Sequence, residues 1–295
     1  MVQLTLMVFG AVTWLLSLLT TKGIRRVAPA LSALARVAIP RNQRVLHRNL
    51  ELAYPERSED ERAELARECN FHYACGILEA GMLWHWPVER IVEKFEPPVG
   101  LEHLDEALAS GRGVVVAAPH FGSWELLSLY ITATYDATIL YRGGKFPELE
   151  KRLAEKRMRA GARLVPVGVS GLKTLYGTLR EGRLVAVLPD QDPRRGQGRF
   201  VPFFGISALT GVLVPRMLQK TGARLVFLVC ERRPGGRYRV RALEPEDGIY
   251  SEDVDTALAA MNRGVEACVN LDPGQYLWAY KRYRVRPPGE PSLYD

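Results

Sequence analysis

Cysteine is scarce in this 295-residue chain: Cys69, Cys75, Cys230 and Cys268 are its four, scattered far apart. Four are too few for a disulfide framework, and no C-x2-C pair exists to hold zinc. Reduced thiols facing a cytosol are the default reading. The five histidines (His47, His72, His85, His103 and His120) offer no pair at metal-ligand spacing. Nothing resembles HExxH, so no metal is expected. P-loop spacing, internal repeats and low-complexity tracts are absent as well. Acidic residues are the minority charge, 33 Asp+Glu against 40 Lys+Arg, for a net charge of +7. That surplus suits a polyanionic partner (nucleic acid, anionic lipid or an acidic carrier protein), or merely a mildly basic protein. A composition 47% hydrophobic and 25% charged excludes a disordered chain. The length permits one large α/β domain or two small ones.

Charge is also missing from the first 21 side chains, "MVQLTLMVFGAVTWLLSLLTT". A run of this length can enter a membrane. The positive residues follow it, at Lys22, Arg25 and Arg26, whereas a cleaved signal would place them first. An anchor held on the cytoplasmic side is therefore expected rather than a secretory leader. The second apolar stretch, "VAPALSALARVAIPR", leaves both spanning and interfacial poses open, and a buried helix is the plainer alternative.

Beyond this come two helical patterns, "RNQRVLHRNLELAYPE" and "SEDERAELARECNFHYACGILEAGMLW"; the second opens with Ser58 and Glu61 at capping-box spacing. From about residue 99 the pattern alternates. Strand-like runs "GVVVAA", "ATILYR", "ARLVPV", "RLVAVLPD", "ARLVFLVC" and "YRVRALE" are separated in several places by amphipathic helical stretches, "SALTGVLVPRMLQKTG" among them. Apolar strands divided by helices predict an α/β fold with a mostly parallel central sheet flanked by helices. The organisation expected is a membrane anchor helix over 1–26, a helical membrane-proximal segment over 27–98 and an α/β domain over 99–295. Ligands of such sheets gather at the carboxyl ends of the strands, where His120, Arg142 and Asp190 fall.

Within "APHFGSWE", His120 lies in a turn and Glu125 in the first turn of the helix that follows. A carboxylate there is favoured by the helix dipole and can reach back to the imidazole. An imidazole so held presents its other nitrogen as a general base for a hydroxyl. Gly122 and Ser123 leave room for substrate, and free amides at the helix start could receive an oxyanion. A bare H-x4-E is common, and a loop histidine bonded to its neighbour would account for it; the strand–Pro–His–turn–helix setting favours catalysis. In "YRGGK", Arg142 and Lys145 could cradle a phosphate or carboxylate, or form a basic surface turn. "LPDQDPRRGQGRFVPFFG" places Asp190 and Asp192 after a strand, with Arg194, Arg195 and Arg199 around glycines. It reads as an acid orienting a cation, a basic rim and an apolar wall for acyl chains that includes Phe203, or as a long loop with its aromatics packed inward. "PGQYLWAYKRYRVRP" interleaves aromatics with Lys281, Arg282, Arg284 and Arg286, a stripe that stacks on bases or sits at a lipid interface.

These segments together, "RNQRVLHRNLELAYP", "PHFGSWE", "YR", "PDQD", "FVPFFG" and "PGQYLWAYKRY", resemble the lipid A secondary acyltransferases, the lauroyl/myristoyl transferases of Gram-negative lipopolysaccharide assembly. The resemblance runs almost end to end. It implies a glycerolipid-acyltransferase-like fold at the cytoplasmic face of the cell inner membrane. It further implies transfer of a fatty acyl group from acyl carrier protein to a hydroxyl of a primary acyl chain on a Kdo-bearing lipid A precursor. His120 would act as general base oriented by Glu125, without a covalent acyl-enzyme, because no Ser or Cys pairs with it as a nucleophile. Arg142 and Asp190 would position the headgroup or polar parts of the chains. The implied partners are acyl carrier protein, the lipid A precursor and inner-membrane phospholipid, with no cofactor and no nucleic acid. Two rivals predict different substrates: a glycerolipid or mannolipid acyltransferase, which keeps His120 and Glu125, and a membrane-associated nucleic-acid-binding protein, in which His120 is idle.

Overall fold

The computed structural model describes residues 2–141, 154–193 and 196–294. Four helices come first: α1 (Val2–Ser17), α2 (Thr21–Ala38), α3 (Pro40–Ala53) and α4 (Glu59–His85). The capping box at Ser58 and Glu61 opens α4 as its spacing predicted, with each residue's side chain accepting from the other's backbone amide. Two short helices, α5 (Val88–Val92) and α6 (Glu102–Ala109), lead into the sheet.

The remainder alternates in the predicted way: β1 (Val114–Ala117), α7 (Trp124–Thr134), β2 (Ala137–Tyr141), β3 (Arg163–Pro166), α8 (Val169–Arg180) and β4 (Leu184–Val187). After these come the hairpin strands β5 (Gly198–Phe203) and β6 (Ile206–Gly211), then α9 (Leu213–Thr221), β7 (Arg224–Arg233), β8 (Arg237–Leu243) and α10 (Val254–Asn270). Six strands form one sheet in the order β3-β2-β4-β1-β7-β8, parallel except for β8. The hairpin β5–β6 stands apart as a two-stranded sheet, so the start of "SALTGVLVPRMLQKTG" is strand, and helix begins only at Leu213.

Both faces of the sheet are covered, which is why its central strands read as unbroken apolar runs rather than alternating ones. Val115, Ala117, Val185 and Val187 point into a core shared with Leu175 of α8, Met217 of α9 and Met261 of α10. Their neighbours Val114, Val116, Leu184 and Ala186 point the other way, toward Met82 of α4, Leu104 of α6 and Leu127 of α7. Those opposed sets follow from the two-residue repeat of a strand.

The amino terminus departs from the expected single anchor helix. Among the described residues no single helix is long and apolar enough to cross a membrane. The apolar run breaks after Ser17, and Thr20 caps a new helix by accepting from the Gly23 amide. Met7–Ser17 and Thr21–Ala38 meet the length and composition of a span only as a pair bent by 118°. Thr13 Oγ1 meets His85 Nε2 at 3.0 Å, and the Trp86 indole donates to the Ser17 carbonyl at 2.8 Å, which ties α1 to the end of α4.

Candidate active site

β1 and β4 are neighbours in register, with Ala117 opposite Val187. Each strand runs on through a proline to a titratable residue: Pro119 precedes His120, and Pro189 precedes Asp190. His120 and Asp190 therefore lie the same three positions beyond a paired couple, at the carboxyl edge of a parallel sheet, and they meet. His120 Nδ1 lies 2.8 Å from Asp190 Oδ1, and the His120 backbone amide donates to Asp190 Oδ2 at 3.0 Å. Asp190 is 3% exposed.

The pair is electrostatically matched. Burial opposes the charged imidazole, but the negative charge and hydrogen bond of Asp190, helped by Glu125, overcome it and raise the pKa of His120 above its ordinary value. For Asp190 burial pushes upward, yet the charge and two hydrogen bonds of His120 outweigh it and lower the pKa. An ionised carboxylate only accepts, so Nδ1 carries the proton and Nε2 of the neutral ring carries the basic lone pair.

This geometry revises the expected partner of His120. Glu125, in the first turn of α7, is engaged by Arg157, which donates from Nε to Oε2 at 3.1 Å and from Nη2 to Oε1 at 2.5 Å. The imidazole is oriented by Asp190, and Glu125 reaches it only through its charge. The amides expected to receive an oxyanion are also occupied: Gly122 donates to the Gln275 carbonyl and Ser123 to the Cys230 carbonyl, each at 2.9 Å. Gly122 has φ +55°, and a Cβ there would stand 1.9 Å from the Cys230 oxygen, so the loop closes directly onto β7. The Ser123 hydroxyl is buried and donates to Glu79 Oε2 at 2.8 Å. Glu79 also accepts from Arg232 and from the Tyr238 hydroxyl, so this polar cluster beneath the loop is fully bonded.

The other predicted contacts sort differently. Arg142, Lys145 and Arg194 lie outside the described residues. Asp192 is 4% exposed and faces Arg284, whose Nη2 donates to it at 3.0 Å, with Arg282 at 3.7 Å. It fastens the carboxyl-terminal segment rather than facing an open site. Phe203 is 1% exposed, packed on Phe204, Tyr276 and Tyr283 with the Arg282 guanidinium over its ring. The apolar wall read in "FVPFFG" is thus a plug, because the hairpin β5–β6 turns its aromatic rings into the core beside α10. The terminal aromatic stripe also turns inward: Trp278, Arg282 and Tyr283 are all buried.

An apolar groove does exist, elsewhere. A hollow of about 280 Å³ runs between α4 and the start of α7. Tyr73, Ile77, Ala80 and Leu83 supply one wall at helical spacing, and Trp124 and Leu126 belong to the other. Glu125 and the Gly122–Ser123 turn border it, and the Trp124 ring lies 5.4 Å from that of His120. His72 also lines it and is neutral, since burial, reinforced by Arg232 and Arg25, drives its pKa down to about 3. Among the described residues no Ser or Cys bonds to the His120 ring, and no cluster of three or more His, Cys, Asp or Glu could hold a metal ion.

An α/β sheet carrying an Asp-held imidazole beside an apolar groove has the parts of a general-base enzyme for amphiphiles. Comparison with known proteins narrows this. Residues 2–285 match the family described as bacterial lipid A biosynthesis acyltransferase. The chain belongs to that family, and it is an acyltransferase. It is 32% identical over 285 residues to the lipid A biosynthesis lauroyltransferase of Escherichia coli K12, covering 96% of this chain and 92% of that one. The palmitoleoyltransferase of the same organism is 31% identical over 266 residues (90% and 86%), and its myristoyltransferase 28% over 253 residues (83% and 76%).

Proposed function

We propose that the protein transfers a fatty acyl group from the thioester of acyl carrier protein to a hydroxyl of a primary acyl chain on a Kdo-bearing lipid A precursor. His120 Nε2 takes the hydroxyl proton as the oxygen attacks the thioester carbonyl. The tetrahedral adduct collapses with loss of the C–S bond, and the imidazolium returns its proton to the departing sulfur. Asp190 fixes the tautomer and offsets the charge that develops on the ring. Glu125 holds Arg157 at the edge of the groove, where a guanidinium can meet the developing oxyanion in place of the occupied loop amides. One acyl chain lies in the groove along Tyr73, Ile77 and Leu83.

The reaction takes place at the cytoplasmic face of the inner membrane, with α1 and α2 set into the lipid interface. Support comes from apolar side chains turned outward there: Leu15 on α1, Leu18 in the link that follows it, and Leu34 and Val37 on α2, the last 82% exposed. Exposed Lys22, Arg26, Arg36, Arg41 and Arg44 accompany them, suited to anionic headgroups. The same basic surplus suits an acidic carrier protein.

The observation that carries the reading is the bond of His120 to the buried Asp190 beside an apolar groove in a member of this family. The test offers Kdo-bearing lipid A precursor and lysophosphatidate side by side, in phospholipid vesicles, with acyl carrier protein thioesters. Mass spectrometry is expected to find the new acyl chain on the lipid A precursor. Acylation of lysophosphatidate alone overturns the assignment in favour of a glycerolipid enzyme.

A further inference from the structure

The base is not open in the resting enzyme. The side-chain amide nitrogen of Gln191 lies 3.1 Å from Nε2 of His120, the nitrogen that must accept the substrate's proton. Because Nδ1 donates to Asp190, Nε2 of the neutral ring carries a lone pair, and an amide NH2 can only donate. The hydrogen bond therefore runs from Gln191 to His120 and occupies the lone pair that catalysis needs. Gln191 is well placed for this and loosely held. Its backbone is pinned between two buried aspartates, Asp190 on the imidazole and Asp192 on the Tyr280 hydroxyl and Arg284. Its own side chain is half-buried, and the bond to His120 is its one hydrogen bond among the described residues.

We propose that Gln191 caps the general base until an acceptor hydroxyl displaces it, so that the activated donor is protected from water. This rests on the acyl-transfer reading of the site. A water molecule that reached Nε2 would complete a wasteful reaction. Its oxygen would add to the thioester carbonyl while His120 took its proton, the C–S bond would break, and the proton would pass to the sulfur, leaving free fatty acid and the carrier's thiol. A lipid acceptor has binding energy from its chains and headgroup to spend on displacing one amide, whereas water has none. Gln191 is in this account a positioning residue, acting through His120.

The test uses the full-length protein in vesicles with acyl carrier protein thioester, measuring free fatty acid and lipid product together. Gln191→Ala and Gln191→Leu, the second keeping bulk without a donor, are expected to raise the ratio of hydrolysis to transfer by about two- to tenfold, the factor one neutral hydrogen bond is worth. A second readout separates this from loosened packing. Removing a donor from the neutral ring raises the pKa of His120, so the acidic limb of kcat/KM for transfer moves to higher pH by about half a unit or more. A hydrolysis-to-transfer ratio that stays level or falls in both variants, with thermal melting unchanged, overturns the proposal while leaving acyl transfer intact. If wild-type protein transfers no acyl group to any lipid, the acyl-transfer reading fails and the cap fails with it.

Discussion

Replacing Asp190 by Asn keeps the shape of the site and reverses its polarity. Two donors now point at the carboxylate, the His120 amide at 3.0 Å and Nδ1 at 2.8 Å. An Asn has one oxygen, and the backbone amide cannot give up its proton, so the carboxamide oxygen turns to that amide. Its NH2 must then face Nδ1, and it can only donate. The imidazole responds by placing its proton on Nε2, and the nitrogen that should receive the substrate's proton no longer has a free lone pair. The protein should fold, since the substitution is isosteric and the backbone hydrogen bond survives. The same tautomer trap in a Ser-His-Asp triad costs about four orders of magnitude. For Asp190→Asn we expect a loss of about 10³–10⁴ in acyl-transfer kcat/KM, or about 4–5.5 kcal/mol. The assay is mass-spectrometric detection of acylated lipid at matched donor and acceptor concentrations. Nitrogen-15 shifts of labelled His120 report which ring nitrogen carries the proton. A variant within about tenfold of wild type, or one whose Nε2 remains unprotonated, refutes the assignment of Asp190 as the orienting acid.

The pH profile supplies a second test. Asp190 and Glu125 raise the pKa of His120, and only the neutral ring is a base, so kcat/KM should fall as pH drops through a value above 6.5, the ordinary figure for histidine. A limb below 6.5 would mean that burial outweighs the two acids. Glu125→Ala and Arg157→Ala should each reduce transfer at least about tenfold, with the double variant little worse than either single one, because the two side chains act as one unit. Losses that multiply would assign them separate tasks. Phe203→Ala should cost about 3–5 kcal/mol of stability in urea unfolding, as truncation of a sealed core aromatic does, without changing the preferred acyl length. A shifted chain preference would restore Phe203 as part of the acyl site.

The apolar runs that became β1, β2, β4 and β7 were legible because a doubly covered sheet requires them, and His120 was legible because a titratable group ending such a run is unusual. Proximity along the chain favours Glu125, five residues away, as the hydrogen-bond partner of His120, whereas the bond is made by Asp190, seventy away. Yet a sign of that contact is present in the sequence. "APH" and "LPD" each follow a fully buried run, and both place the ionisable group directly after a proline. What no local pattern encodes is that β4 lies beside β1 with Ala117 opposite Val187, since strand adjacency is decided by the whole topology. Once that register is known, equal offsets bring the two groups together without further assumption. The same reasoning explains the plug. Aromatics in "FVPFFG" could line a substrate site or a core with equal ease, and only the hairpin's contact with α10 and the terminal segment turns them inward. Asp190, Gln191 and Asp192 then have three separate uses within three consecutive residues: one orients the base, one covers it, and one pins the chain so that the other two keep their reach.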